Sequence, residues 1–365
     1  MRTSEYNKMS FSFKIGNITI SPSTILAPME GITDITFRRM IRGCGGCGLT
    51  VTEFVNCEGL TREVERVWEK TACDSDEGPS SVQIYGRIPE NLARAAAMCE
   101  ARGAQIIDLN LGCPAKKVVS GNAGSALMRE PELCRQIFHA VKSAITIPMT
   151  VKMRLGWSNP TINVGEIAHI AESEGASLVA VHARTREEAY RGHSRWELVR
   201  PVVEALHIPV VINGDILTRE DARQALASSG ACGVMIGRGM LRNPWLMKQI
   251  EQDQAGLPIF EPTLAERCDF INRYIDVLQN SDLSMGGVLG KFKCFIGYFT
   301  RGLAYSTQMR GKIYKTGSIE AMHDILNEYF DILQSDNLDD IFNRVLIDPS
   351  NQMRYKDGDP RRCDE

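Results

Sequence analysis

Long apolar runs are absent from this sequence of 365 residues, and the longest are short blocks such as Ile208–Ile212. A membrane-spanning helix needs about 20 consecutive apolar residues, so no membrane span is expected. The segment Met1–Ser10 is polar and lacks the apolar core of a secretion signal, which predicts a cytoplasmic protein. The eleven cysteines follow no disulfide-framework spacing, and we expect them to be reduced thiols.

An excess of charge of one sign is also missing. The chain has 42 Lys and Arg residues against 45 Asp and Glu residues, which gives a net charge of −3. Any contact with nucleic acid must therefore come from a local basic patch. What the chain does have is 43% apolar content. Its length allows one domain of about 250 residues plus a smaller one.

Short apolar segments alternate with amphipathic helical segments from Thr24 to Ile236, which is typical of repeated βα units around a parallel sheet. Doubly wound sheets usually carry a Gly-rich phosphate loop after the first strand, whereas here that strand runs into Ala27–Gly31. The pattern therefore predicts an α/β fold, a (β/α)8 TIM barrel, over residues 10–255. The eight predicted strands are Thr24–Ala27, Leu49–Glu53, Ser81–Tyr85, Gln105–Leu111, Met149–Met153, Leu178–His182, Val210–Asn213 and Gly233–Ile236. Helices are predicted at Pro89–Arg102, Pro131–Ser143, Gly165–Glu174 and Arg219–Ser228.

A second domain is predicted after the barrel. The segment Gln252–Pro262 is polar and contains two prolines, which indicates a linker. Thr263 and Glu266 have the spacing of a capping box, and helices are predicted from Thr263, over Gly287–Leu303 and over Ser318–Leu333. We expect an all-helical domain over residues 262–345 and a disordered tail over 346–365.

In a βα barrel the reactive groups come from the carboxyl ends of the strands, and here these ends are polar. Any one of them could be a solvated rim residue. Together they predict a polar cavity for a planar, negatively charged ligand. The residues are Glu30, Glu53, Gln83 with Tyr85, Asn110 with Cys113, Lys152 with Arg154, His182 with Arg184, Asn213–Asp215, and Gly237 with Arg238.

The turns after the last two predicted strands contain Gly214, Gly237 and Gly239. Glycines let backbone amides approach a phosphate closely, and a following helix N-terminus together with Arg238 would add favourable charge. These turns predict a phosphate pocket, with two ordinary tight turns as the alternative.

Three further side chains at the predicted mouth suit a flavin. Lys152 could stabilise negative charge that develops on the flavin pyrimidine ring. Gln83 can donate and accept at the edge of such a ring, although it could equally cap its strand. His182 has no nearby partner in sequence for a metal, so a hydrogen bond to the ligand is the favoured interpretation.

Cys113 follows the fourth strand, in a glycine-rich loop. An unperturbed thiol has a pKa of about 8.5 and is mostly protonated at neutral pH, so it can donate a proton without a base. A lone cysteine is more often a small hydrophobe, but the strand-end position favours a reactive thiol. Cys44 and Cys47 have the spacing of half a zinc site, but no second pair follows; packing is favoured and no metal site is predicted.

The segment between Asp282 and Glu320 contains no acidic residue. Phe292, Phe295 and Phe299 have helical spacing and are predicted core residues, whereas the cations and tyrosines fall toward another face. Alternating cations and aromatics suit phosphate and base contacts with RNA, although a solvated helix face would look the same. The cations of this basic segment are Lys291, Lys293, Arg301, Arg310, Lys312 and Lys315.

These motifs resemble those of the tRNA-dihydrouridine synthases, flavin enzymes that reduce a uridine in folded tRNA. The resemblance runs from about Ile25 to Pro244. Many members have Ala-Pro-Met-Ala-Gly in the first motif, so Glu30 is a departure; with Thr52–Val55 it is similar to the bacterial subgroup that acts on uridine 16. Seven ordered motifs carry the resemblance: Ala27–Asp34, Gln83–Gly86, Asn110–Pro114, Val151–Trp157, Val181–Arg186, Asn213–Asp215 and Met235–Arg238.

The resemblance implies a site that binds FMN and a base of the tRNA. It implies hydride transfer from FMN to C6 of uridine, with Cys113 as the proton donor to C5 and Asn110 near the base. Substrate contacts are assigned to Asn110, Arg154, Arg184, Lys291 and Arg301. The residues that would hold FMN are Pro28, Met29, Glu30, Gln83, Lys152, His182, Asn213, Gly214, Asp215, Gly237 and Arg238.

The implied partners are tRNA and a nicotinamide nucleotide, NADPH or NADH, and we expect a monomer. No Gly-x-Gly-x-x-Gly motif is present, so the nicotinamide is expected to bind transiently against the flavin. Two other functions remain open at this stage. One is an FMN-dependent barrel oxidoreductase of a small pyrimidine such as dihydroorotate, and the other is a non-catalytic RNA-binding module.

Overall fold

The structure is a computed structural model that describes residues 12–74 and 77–335. The predicted tail at 346–365 and the segment 336–345 of the predicted helical domain lie outside these residues. Strands and helices are numbered in chain order. The strands are β1 (Phe13–Ile15), β2 (Ile18–Ile20), β3 (Thr24–Leu26), β4 (Leu49–Val51), β5 (Val55–Asn56), β6 (Ser80–Tyr85), β7 (Ile107–Leu111), β8 (Met149–Arg154), β9 (Ala176–His182), β10 (Val210–Asn213) and β11 (Gly233–Ile236).

Eight of these strands close a parallel barrel. They pair in the order β3-β4-β6-β7-β8-β9-β10-β11, and β11 pairs back to β3. The strands are almost entirely buried, as expected for parallel strands covered on both faces. The predicted (β/α)8 TIM barrel is confirmed, and all eight predicted strands are present.

Two features of the sheet differ from the sequence prediction. The predicted strand Leu49–Glu53 ends at Val51, and Val55–Asn56 forms the separate short strand β5 against the end of β6. Beyond Val51, the Glu53 carboxylate forms an ion pair with Lys70, with 2.8 Å between Oε2 and Nζ. The second difference is the antiparallel hairpin β1–β2, which was not predicted because each of its strands has only three residues.

The hairpin covers the amino end of the barrel. Ile15 and Ile20 are fully buried and belong to one apolar cluster with residues that begin barrel strands, such as Ile25 and Leu49. A Cβ built at Gly16 would lie 2.8 Å from a side-chain atom of Pro148, the residue before β8. The hairpin closes the amino end of the barrel. The polar residues at the carboxyl ends of the strands lie at the opposite end.

The crossover helices lie close to their predicted positions. Pro89 and Pro131 occupy the first turns of α4 and α6, where a missing N–H costs nothing. Thr218 and Asp221 form a capping box at the start of α9, and Gly230 ends that helix with a φ of 72°. The helices up to residue 255 are α1 (Ile35–Cys44), α2 (Cys57–Thr61), α3 (Glu65–Glu69), α4 (Pro89–Ala101), α5 (Lys116–Val119), α6 (Pro131–Ala144), α7 (Val164–Ser173), α8 (Arg200–Ala205), α9 (Arg219–Ser229), α10 (Arg238–Arg242) and α11 (Leu246–Ala255).

The remaining helices are α12 (Leu264–Gln279), α13 (Met285–Phe299), α14 (Ser306–Lys315) and α15 (Ile319–Gln334). The predicted capping box of Thr263 and Glu266 is present at the start of α12. The core of these helices contains Phe270 stacked on Phe299, with ring centroids 5.7 Å apart. The predicted linker is wrong at its start, because residues up to Ala255 still belong to α11. Helix α14 was not predicted, since Met309 and Ile313 are its only buried apolar side chains among the residues described.

The chain separates into two compact units. The first runs to Pro258 without residues 241–243, and the second comprises Leu241–Asn243 and the residues from Ile259 onward. Within the described residues, no helix combines the length and the apolar character needed to cross a membrane.

Candidate active site

A chain of hydrogen-bonded side chains crosses the inside of the barrel. Gln83, Asp108 and Thr150 lie opposite each other on β6, β7 and β8, so their side chains share the interior face. Gln83 Nε2 donates to Asp108 Oδ2 at 2.6 Å, and Thr150 Oγ1 donates to Asp108 Oδ1 at 2.5 Å. Asn110 Nδ2 donates to Gln83 Oε1 at 2.8 Å. These four buried side chains therefore satisfy one another.

Asn110 also holds the loop that carries Cys113. Its Oδ1 accepts hydrogen bonds from the backbone N–H groups of Gly112 and Cys113, at 3.0 and 2.9 Å. The Cys113 carbonyl accepts from Ser125 Oγ at 2.8 Å, and the Gly112 carbonyl accepts from Arg154 Nε at 2.7 Å. The backbone around the thiol is thus fixed on both sides.

The Cys113 side chain is partly buried. Burial raises its pKa above the ordinary value, and the negative charge of Glu30 acts in the same direction. The opposing influences are a backbone hydrogen bond at Ala115 and the cations Arg154 and Lys152. The thiol is therefore protonated at neutral pH, which is the state that a proton donor requires.

Lys152 lies opposite Asn110 on the neighbouring strand. Burial lowers the pKa of Lys152 to about 8, and the charge of Arg154 adds to this effect, whereas Asp108 and Cys113 oppose it. The ammonium group is still mostly charged at pH 7 but close to releasing its proton. Lysines of this kind are common at catalytic sites.

His182 is surrounded by cations. Burial lowers its pKa well below the ordinary value, and Arg154, Lys152, Arg184 and Arg238 all act in the same direction. The imidazole is therefore neutral and can both donate and accept hydrogen bonds. Its neighbours across the sheet are Arg154 and Asn213. A mouth with several buried cations and an uncharged histidine favours an anionic ligand.

Arg184 and Asp215 form a bidentate ion pair at this end of the barrel. Both terminal nitrogens of Arg184 donate to the carboxylate of Asp215, and Ser194 donates its backbone N–H to the same group at 2.9 Å. Burial would raise the pKa of Asp215, but the hydrogen bonds from Arg184 and Ser194 outweigh it and hold the pKa below the ordinary value. Arg238 is a further partner of Asp215, at 3.2 Å.

The turn after β10 has no space for a side chain at Gly214. This glycine has a φ of 115°, and a Cβ would lie 2.3 Å from Ser194 Oγ and 2.8 Å from His182 Cδ2. Asn213 donates its Nδ2 to the Met235 carbonyl at 2.7 Å and ties β10 to β11. A Cβ at Gly237 would lie 3.5 Å from Met29 Sδ, so the end of β11 adjoins the segment after β3.

The structure brings most of the predicted site residues to one end of the barrel. Pro28 and Met29 are partly buried beside Gly237, while Glu30 is exposed. The two predicted substrate arginines, Arg154 and Arg184, are each only 1% exposed, and each donates to backbone carbonyls of the loop after β9. This geometry favours a role in fixing the mouth loops.

Lys291 and Arg301 belong to the second compact unit. Arg301 is exposed, with its guanidinium 5.1 Å from the ring centroid of Tyr298. Two other cations of the basic segment are used inside that unit. Lys293 donates to the carbonyls of Tyr314 and Thr316, at 3.1 and 2.8 Å. Arg310 donates to hydroxyl groups such as that of Thr300, at 3.1 Å.

Three site residues were missed in the sequence. Asp108 and Thr150 lie two residues before Asn110 and Lys152, and the period of two along a strand would have placed them on the same interior face. Tyr190 has its ring 4.8 Å from the Arg238 guanidinium and 5.6 Å from that of Arg154. Tyr190 lies in a loop, and no pattern in the sequence indicates that position.

Cys44 and Cys47 are both buried. The Cys47 thiol contacts the Leu49 carbonyl at 3.5 Å, and burial raises its pKa to about 11. A Cβ at Gly46 would lie 2.3 Å from the backbone nitrogen of Lys248, so the glycine between the two cysteines allows close packing on α11. These contacts give the pair a packing role.

The closed parallel barrel defines a (β/α)8-barrel protein. Solved structures share this fold. A histamine dehydrogenase from Rhizobium sp. 4-9 matches 69% of this chain and 49% of its own, with a TM-score of 0.52 and 14% identity. A 2-naphthoyl-CoA reductase matches 69% of this chain and 53% of its own, with a TM-score of 0.53 and 13% identity.

The family profile of dihydrouridine synthase (Dus) matches residues 25–318. A probable tRNA-dihydrouridine synthase of Rickettsia conorii is 40% identical over 327 residues, covering 89% of this chain and 98% of that protein. A tRNA-dihydrouridine synthase B of Pasteurella multocida is 39% identical over 270 residues, covering 73% and 80%. The chain belongs to the dihydrouridine synthase family.

Proposed function

We propose that this protein is a flavin-dependent tRNA-dihydrouridine synthase that reduces a D-loop uridine, with FMN as its prosthetic group and Cys113 as the proton donor. The observation that carries the proposal is the placement of Cys113 beside Lys152: Asn110 accepts from the Cys113 backbone N–H and lies opposite Lys152 on the neighbouring strand. Cys113 and Lys152 each influence the pKa of the other. The names of the related proteins support the substrate class.

The residues at the mouth fit a flavin nucleotide. The surplus of buried cations around the neutral His182 matches an anionic phosphate and an electron-accepting ring. Gly214 lets the turn after β10 pack closely on Ser194 and His182, which keeps this turn beside the cationic mouth. Lys152, His182, Asn213, Gly214, Gly237 and Arg238 would hold the group, together with Pro28, Met29, Glu30, Gln83 and Asp215 at its edges.

The bound flavin supplies the hydride that adds to C6 of the uracil ring. Cys113 donates its proton to C5, so that the C5–C6 double bond gains one hydride, which carries the two electrons, and one proton. The resulting thiolate regains a proton from water. Lys152 stabilises negative charge next to the reacting groups, and NADPH or NADH returns the two electrons in a separate step.

The substrate must present an unstacked base, and unpaired loop bases lower the cost of unstacking. The exposed Arg301 and the partly buried Lys291 are proposed contacts to tRNA phosphates. Position 16 of the D-loop, a monomeric state and a cytoplasmic location are part of this proposal.

The test is reduction of an unmodified tRNA transcript by the purified protein with FMN and NADPH. We expect dihydrouridine at one D-loop position, mapped by mass spectrometry. Cys113→Ala should lower the rate about 100- to 10,000-fold, the usual worth of general acid catalysis. The variant should retain FMN and its reduction by NADPH.

Cys232→Ala is the matched control, since this thiol lies outside the site and contacts the Val210 carbonyl. It should behave as wild type. A Cys113→Ala enzyme with the wild-type rate would remove the proposed role of the thiol. Turnover of free dihydroorotate or uridine in place of tRNA would favour the small-pyrimidine oxidoreductase. Cells that lack the protein but keep their dihydrouridine at every position would argue against the tRNA function.

A further inference from the structure

We propose that Asp108 is a positioning residue that fixes the Cys113 loop through Gln83 and Asn110. The inference rests on the proposed function of Cys113 and adds a residue to that site. Asp108 does not contact the loop itself. It acts through two amide side chains that lie between its carboxylate and the Cys113 backbone.

The Asp108 carboxylate sets the donor-to-acceptor direction of this series of hydrogen bonds. An ionised carboxylate only accepts hydrogen bonds, so Gln83 must turn its NH2 group toward Asp108 and its oxygen toward Asn110. Asn110 must then turn its NH2 group toward Gln83 and its oxygen toward the loop. That oxygen meets the N–H groups of Gly112 and Cys113, which can only donate.

Both ends of the chain therefore require the same orientation of the two amides. A side-chain amide can otherwise rotate by half a turn at little cost, because its two ends have nearly the same shape. With a carboxylate at one end and two backbone N–H groups at the other, the reversed arrangement would place an acceptor against the carboxylate and a donor against the N–H groups. The charge of Asp108 thus selects the conformation in which the Cys113 loop is held.

Burial raises the pKa of Asp108 above its ordinary value. The hydrogen bonds from Thr150 and Gln83 and the charge of Lys152 act against burial and favour the ionised carboxylate. Lys152 is the charged group that faces it, from β8, and the polar groups come from β6 and β8. Protonation of Asp108 would let its O–H donate to Gln83 and release the fixed direction.

The first experiment compares wild type with Asp108→Asn in the FMN-bound enzyme. Asparagine has the same shape but offers a donor as well as an acceptor, so residue 108 no longer fixes the direction of Gln83 and only the loop N–H groups still orient Asn110. The rate of uridine reduction should fall about 100-fold, because small displacements of a reacting group have effects of this size. The rate should be measured at about pH 6.5, where Lys152 stays protonated, since its pKa is about 8.

The second readout follows the loop itself. Alkylation of the Cys113 thiol by iodoacetamide, measured on its peptide by mass spectrometry, should be about tenfold faster in Asp108→Asn, the effect of losing one typical hydrogen bond. The FMN content and the reduction of the flavin by NADPH should stay near their wild-type values. A variant that was merely destabilised would change all of these quantities together.

A double variant provides the matched rescue. In Asp108→Asn with Gln83→Glu, the carboxylate is moved from position 108 to position 83, the next member of the hydrogen-bond series. The asparagine at 108 can accept from Thr150 and donate to the glutamate, which accepts from Asn110 as Gln83 does now. The direction of Asn110 is restored, so the alkylation rate of Cys113 should return toward the wild-type value.

Unchanged uridine reduction and unchanged alkylation in Asp108→Asn would overturn the proposal, and so would a double variant that behaves like the single one.

If Asp108→Asn does not fold, the Thr150→Val variant tests the proposal instead. Loss of the Thr150 donor raises the pKa of Asp108 further, so the acid limb of the rate of uridine reduction should move to higher pH. An unmoved limb would contradict the proposal. A wild-type enzyme that makes no dihydrouridine would instead count against the proposed function. The alkylation comparison would still test whether Asp108 positions the Cys113 loop.

Discussion

Lys152 is a partly buried cation, and the loss of solvent around its charge has a measurable cost. The pKa of Lys152 is lowered from 10.5 to about 8, chiefly by burial and then by Arg154. The unfolded chain binds more protons than the folded chain between these two values, so stability should rise with pH in that window. Below about pH 8 the folded protein carries the full cost of the charge.

Lys152→Met should therefore make the protein more stable and less active. At 1.36 kcal/mol per pKa unit, the gain is about 3 kcal/mol at most at pH 7, and it should shrink as the pH rises toward about 10. Urea unfolding without added flavin measures it at each pH. Lys14→Met, at an exposed position in β1, is the control and should change little. FMN affinity should fall only in the Lys152 variant; a stability gain independent of pH would contradict this account.

Single residues also show how far the sequence could predict the site. The strand-end rule placed Gln83, Asn110, Lys152 and His182 at the mouth, and the structure brings these residues there. The rule could not show which side chains remain available to a ligand. Arg154 is an example, because its guanidinium donates to the carbonyls of Gly112, Thr185 and Ala189, which are distant in sequence.

The turn after β10 packs on strand β9 and on the segment that follows β9. Its glycine packs on His182 of β9 and on Ser194 of the following loop, and Trp196 Nε1 donates to the Gly214 carbonyl at 2.8 Å. Asp215, the next residue, has a φ of 54° and pairs with Arg184. The position of the predicted phosphate pocket depends on this packing.

Gly214→Ala should destabilise the protein and weaken FMN binding more than tenfold, because a Cβ would overlap Ser194 Oγ and strain the positive φ. The measurements are thermal unfolding and a fluorescence titration with FMN. Gly290→Ala is the control, since this glycine lies inside α13 with nothing within 4 Å of the added Cβ. It should be neutral or stabilising by up to about 1 kcal/mol. Equal effects of the two substitutions would disprove the steric argument.

The elements themselves were predictable where the hydrophobic period was clear. Strands β10 and β11 begin and end as predicted, and a glycine directly follows each of them, Gly214 and Gly237. Helix α14 escaped prediction since most of its ten residues are polar or small. It is held by contacts that only the folded unit provides, such as the hydrogen bonds from Lys293 to the Tyr314 and Thr316 carbonyls. The β1–β2 hairpin was missed for the same reason: its two buried isoleucines are meaningful only against the barrel.

The balance of charge over the whole molecule hides its distribution. The net charge is −3, yet the segment between Asp282 and Glu320 carries six cations and no acid. The structure divides these cations by role. Lys293 and Arg310 are at least partly buried by groups of their own unit to which they donate, whereas Arg301, which donates one hydrogen bond to the Gly297 carbonyl, is exposed beside the Tyr298 ring.

Arg301→Ala should weaken tRNA binding and reduce the slope of log Kd against log salt by about one, as expected for the loss of one phosphate contact. Filter binding over a salt series measures both quantities. Lys293→Ala is the contrasting variant, because this ammonium group donates to the carbonyls of Tyr314 and Thr316. It should lower the thermal stability and leave the salt slope unchanged. A slope reduced by Lys293→Ala alone would reverse the assignment.

The hairpin β1–β2 has a consequence for the order of events in the catalytic cycle. Among the residues described, it covers the amino end of the barrel, so molecules reach the interior polar groups from the carboxyl end. A nicotinamide and a tRNA base that use one entrance cannot occupy it together. Under the proposed function they would alternate, and each would inhibit the other when present in excess.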